Sequence, residues 1–112
     1  MSEEHDYPAA EFYLRLIYPD DKVSAIVAKL HNAAIVEFKA KDIFRASQLS
    51  LLGVSNAHVD KDRKKIQEGK SLSPLLLVRD SQNENVVIAD GYHRMCAVYG
   101  FDEDALIPCK IV

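Results

Sequence analysis

The chain has 112 residues, 48% of them apolar and 28% charged, with a net charge of −3; this suits one small globular domain with a single core. The acidic balance argues against general affinity for nucleic acid, which normally needs a basic surplus to neutralise phosphates. No apolar run approaches the roughly 18 residues of a membrane span, and residues 1–6 are acidic, unlike a signal peptide. Cys96 and Cys109 have neither metal-ligand spacing nor disulfide-framework density, so a cytoplasmic protein with two reduced, buried thiols is expected.

In chain order, Ala9, Phe12, Tyr13, Leu16 and Ile17 have helical spacing, with Pro8 as a helix start and Pro19 as a stop. Asp20 and Asp21 then cap a second helix, whose stripe of Val23, Ile26, Val27, Leu30 and Ala34 faces a core. Residues 35–38 read as a short strand. Residues 39–52 mix apolar and polar types without a clear period, and Gly53, Ser55 and Asn56 signal a turn. Residues 59–68 are strongly charged, with Val59 and Ile66 a heptad apart, and suggest a surface helix ending at Gly69.

The last forty residues are the most regular. Pro74 opens an apolar strand over 75–78, the run suggesting burial on both faces. A polar turn over 80–85 leads to a second strand over 86–89, and the pair is expected to form an antiparallel hairpin. A helix follows Gly91 and ends at Gly100, and a final strand carries Ile107, Cys109 and Ile111. The fold class is therefore α+β, a small mixed sheet with helices.

The Asp90-Gly91-Tyr92-His93-Arg94 turn carries the chemistry. It lies where a strand runs into a helix, so free backbone N–H groups and the helix dipole favour an anion there. Gly91 permits close approach, Arg94 offers a planar fork for phosphate oxygens, and His93 is a further donor. Asp90 opposes an anion by its charge, which leaves three roles: helix cap, Mg²⁺ ligand or general base. The structural alternative is an ordinary turn whose His93 and Arg94 pair with Glu103 or Asp104.

Residues 86–98, followed by Ile107-Pro108-Cys109-Lys110-Ile111, resemble the C-terminal half of the ParB/sulfiredoxin superfamily: a strand running into a G-x-[HR]-R turn, a helix, and a strand opening near proline. Ser73-Pro74-Leu75-Leu76-Leu77-Val78 and the charged segment before it also fit that pattern, as do residues 35–38 and Arg45. The resemblance covers residues 35–112 of a single domain and leaves residues 1–34 as a helical N-terminal extension. It implies that Gly91, Tyr92, His93 and Arg94 bind nucleotide phosphate, with Lys61, Lys64, Lys65 and Arg45 as further contacts. ATP, ADP or CTP with Mg²⁺ are the implied ligands, and Asp90 and His93 the implied catalytic groups. Apart from the Mg²⁺ role open to Asp90, the sequence assigns no metal ligand.

Two departures narrow the activity. Tyr92 stands where sulfiredoxins place the catalytic cysteine of their turn, so sulfiredoxin chemistry is not expected. The G-x-R-R turn and the DNA-binding region of partition proteins are missing from this sequence. Three functions stay open: a nucleotide-binding protein acting as phosphotransferase or hydrolase, with Glu37 or Asp42 as a second carboxylate; a nucleic-acid-binding or nuclease-like protein; and a non-catalytic interaction protein whose N-terminal helices, with Tyr7, Tyr13 and Tyr18, form a homodimer or partner surface.

Overall fold

The computed structural model of the chain describes residues 2–49 and 73–112. The described elements are helices α1 (Ser2–Leu14), α2 (Asp20–Asn32), α3 (Ala40–Ser47) and α4 (Tyr92–Phe101), with strands β1 (Val36–Lys39), β2 (Leu75–Asp80), β3 (Asn85–Asp90) and β4 (Leu106–Ile111). The helix expected over 59–68, with Lys61, Lys64 and Lys65, and the turn at Gly53, Ser55 and Asn56 lie outside the described residues.

The sheet order is β1-β4-β2-β3, antiparallel except for the parallel pair β2–β4. The expected β2–β3 hairpin is present, and β2 is buried on both faces from Leu75 to Val78. Because side chains alternate along a strand, these four residues serve two different cores. Leu75 and Leu77 join Ile43 of α3 and Met95, Cys96 and Ala97 of α4. Leu76 and Val78 face the other way, onto Tyr7, Ala10 and Leu14 of α1 and Val23, Ile26 and Leu30 of α2. The result is a three-layer α+β fold, helices on both faces of a mixed sheet. Each large side chain buried this fully contributes roughly 1.5–3 kcal/mol.

Helices α1 and α2 thus cover one face of the sheet. Three expectations there need correction. Pro8 lies inside α1 rather than at its start; the missing N–H costs one bond, while Tyr7 on one side and Ala10 and Leu14 on the other anchor the helix to the core. Pro19, not an aspartate, is the N-cap of α2, with no side-chain cap bond, and Asp20 and Asp21 occupy its first turn, where the dipole favours them. Of the three tyrosines expected on one surface, Tyr7 is buried and Tyr18 donates to Asp80, leaving Tyr13 exposed. The ambiguous stretch after residue 39 resolves into α3, closed by Gln48 in the left-handed conformation.

Lys110 is buried on β4 beneath these helices. Its Nζ donates to the Tyr7 hydroxyl at 2.8 Å and to the His31 carbonyl at 3.4 Å, and Tyr7 stacks on the His31 ring at 3.7 Å.

Candidate functional site

The site forms at the end of β3, the edge strand of the sheet. The β2–β3 register shifts between Leu76 and Leu77, so Asp90 is set out of step with the strand before it; such irregularities re-aim side chains. Gly91 then takes φ 105°, a region L side chains rarely adopt, and α4 begins at Tyr92. A Cβ at Gly91 would overlap the Leu75 side chain and come within 2.9 Å of Arg94 Nη2. The glycine is therefore required by the protein's own packing, and not only by the approach of a ligand.

Gly91 is the N-cap of α4 and, lacking a side chain, makes no side-chain cap hydrogen bond. The capping role considered for Asp90 is thus overturned, because its carboxylate is turned to Arg94 instead. Arg94 Nη2 donates to Asp90 Oδ2 at 3.1 Å, to Asp6 Oδ2 of α1 at 3.5 Å and to the Pro74 carbonyl at 3.2 Å. The three side chains are 15%, 19% and 13% exposed in the order Arg94, Asp90, Asp6. Arg94 Nε is buried with no hydrogen-bond partner. The alternative of an ion pair from Arg94 to Glu103 or Asp104 is not what Arg94 makes: it pairs with Asp90 and Asp6, and Asp104 pairs with Lys41 at 2.7 Å.

Two carboxylates on one guanidinium leave a surplus of negative charge in a poorly hydrated place. Burial pushes the Asp90 carboxyl above its ordinary value; Arg94 opposes this, and Asp6 reinforces it through charge and a hydrogen bond. A carboxyl raised in this way holds a proton more readily and is a better base once it has lost it. Tyr92 is also raised, by burial and then by Cys96 one turn along α4, which keeps its phenol protonated.

A cavity of about 620 Å³ opens beside the turn, lined by Ala9 and Tyr13 of α1, Leu49, Ile88 and Ala89 of β3, and Asp90, Gly91, Tyr92 and His93. Its size falls in the range of small-molecule sites. Tyr13 and Tyr92 supply aromatic surface, and α4 starts at the edge of the cavity. Four of the sequence candidates, Asp90, Gly91, Tyr92 and His93, come together here. Arg94 does not line the cavity; it braces the turn from within.

The other candidates are elsewhere. Arg45 is exposed on α3, 3.9 Å from Asp42, and does not line the cavity. Glu37 is exposed on β1 and Asp42 borders a separate apolar hollow. The second carboxylate is Asp6, which no spacing in the sequence could reveal, since 88 positions separate it from Arg94. The sequence presents Tyr13 as part of an apolar helical face and of a dimer surface, not as a residue of this site.

A protein-held metal fits poorly: Asp6 and Asp90 are committed to Arg94, and no group of three His, Cys, Asp or Glu that could hold a metal occurs among the described residues. Among the described residues no helix is long and apolar enough to cross a membrane. Comparison with family models, curated proteins and solved structures finds no match.

Proposed function

We propose that the cavity at the start of α4 binds the phosphate of a small nucleotide, ATP, ADP or CTP, in a cytoplasmic phosphotransferase or nucleotide hydrolase. The observation that carries the reading is the N-terminus of α4, begun by Gly91, opening onto a cavity that also holds His93 and two tyrosine rings. The positive end of the α4 dipole and the His93 side chain favour the phosphate, and Tyr13 stacks on the base. Asp90, raised by burial, takes the proton of an attacking hydroxyl. Mg²⁺ arrives on the nucleotide phosphates. Arg94 and Asp6 act as positioning residues that fix Asp90 and hold α1 against the turn.

The resemblance of this strand, turn and helix to the ParB/sulfiredoxin superfamily supports the same ligand class. Isothermal titration with ATP, ADP and CTP, with and without Mg²⁺, tests it. Saturable binding that weakens in His93→Ala supports the reading, and no heat at millimolar nucleotide sinks it.

A homodimer is a second reading, favoured by Phe12 and Leu16, which are 69% and 85% exposed beside α1. Light scattering over a concentration series reads it out. A mass that stays monomeric at every concentration contradicts it.

A further inference from the structure

A hollow of about 240 Å³ lies between α3 and the face of the sheet turned away from α1 and α2. It shares no lining residue with the cavity at α4. Every strand gives it one apolar side chain: Phe38 of β1, Leu77 of β2, Val86 of β3 and Ile111 of β4. Ile43 and Ala46 line it from α3. Ile43 and Leu77 are buried in the first core, whereas Phe38, Val86 and Ile111 are only partly buried against it. The hollow is therefore where that core opens to solvent.

Water is a poor occupant of such a space, because it is held only where several polar groups bond it. An apolar cavity of about 150 Å³ takes a benzene ring, so this one accommodates a phenyl ring with a short tail. Its walls gain by being removed from water.

Two charged residues complete the lining, Arg79 and Asp42. Arg79 follows Leu77 by two positions on β2, which sets it on the same face of the sheet. Asp42 is already paired: its Oδ1 lies 3.9 Å from Nη1 of Arg45, three positions along α3. Arg15, Arg45 and Arg94 each pair with a carboxylate. The Arg79 side chain is exposed and makes no hydrogen bond or salt bridge among the described residues. It is the unmatched charge of the hollow.

We propose that this hollow binds a small arylalkyl monocarboxylate, with the ring among Phe38, Ile43, Leu77 and Ile111 and the carboxylate on the Arg79 guanidinium. One negative charge matches the one unmatched cation, and a guanidinium fork takes both carboxylate oxygens. The site is independent of nucleotide binding at α4.

Amide chemical-shift titration of the full chain tests it, with phenylpropionate as probe and phenylpropanol and phenylpropylamine as comparisons. Saturable shifts at Ala46, Leu77, Arg79 and Val86 are expected with phenylpropionate, and binding about tenfold or more weaker with phenylpropanol. Arg79→Gln is expected to bring phenylpropionate down to the level of phenylpropanol and to leave phenylpropanol unchanged. Ala46→Leu fills the hollow and is expected to abolish both responses. If that variant unfolds, Ala46→Val replaces it and is expected to weaken both. Absence of saturation, shifts confined to Tyr92 and His93, or unweakened binding by a folded Ala46 variant overturns the proposal. Equal binding of phenylpropanol, tighter binding of phenylpropylamine, or unweakened phenylpropionate binding by Arg79→Gln overturns the assignment to a carboxylate on Arg79.

Discussion

Asp6 and Arg94, 88 positions apart in sequence, meet at 3.5 Å between α1 and α4. That contact ties the N-terminal layer to the turn that ends β3, and with the Asp90–Arg94 bond at 3.1 Å it makes the cluster part of the fold's stability as well as of the candidate site.

Removing the guanidinium leaves two part-buried carboxylates facing each other. Arg94→Ala is expected to destabilise the protein by about 2–3 kcal/mol, less than the roughly 3–5 kcal/mol of breaking a fully buried charge group. Urea unfolding measures it. A change below about 1 kcal/mol would show that Arg94 is not the brace described here.

The pH dependence has a definite sign. Asp90 is raised in the folded protein, so its contribution is fully present below the ordinary aspartate value and is lost as pH rises through the folded value. Asp90→Asn imitates the protonated form. Its stability relative to the wild type is therefore expected to improve as pH rises from the ordinary aspartate value upward. Paired urea melts across that window read the difference, and an opposite trend would mean that Arg94 outweighs burial.

Gly91→Ala is expected to cost at least about 1–2 kcal/mol from its left-handed backbone alone, and more because the new Cβ overlaps Leu75 in the core. Thermal unfolding checks this. A neutral effect would contradict the packing at the turn.

Deletion of residues 1–34 exposes Leu76, Val78, Val87 and Ala89, which form one face of the sheet's second core. A chain starting at Ile35 is expected to aggregate or to lose cooperative unfolding. Light scattering and circular dichroism decide, and a soluble, cooperatively folding fragment would return residues 1–34 to the status of an extension.

The elements nearest the site were the most legible in the sequence. The apolar run from Leu75 to Val78, the polar turn and Gly91 impose a hairpin and a helix start with few alternatives. The α2 stripe was equally plain, since Val23, Ile26 and Leu30 recur at helical spacing and are buried. What stayed hidden was long-range. In α1 the buried face is Tyr7, Ala10 and Leu14, while the more apolar face, with Phe12 and Tyr13, is exposed; composition alone favours the wrong side. In α3 the buried Ala40, Ile43 and Ser47 do recur at helical spacing, but only Ile43 among them is a large apolar residue, so hydrophobicity did not mark the face. Arg94 looked like a ligand residue because its three acceptors come from distant segments or from the turn itself.

The central claim is that phosphate is held at the start of α4. Amide titration of the wild-type chain with ADP, set against adenosine, tests it most directly. The account predicts saturable shifts of the Tyr92 and His93 amides with ADP, much weaker ones with adenosine, and loss of the ADP response in His93→Ala. Unmoved Tyr92 and His93 signals at millimolar ADP, or an equal response to adenosine, would contradict it.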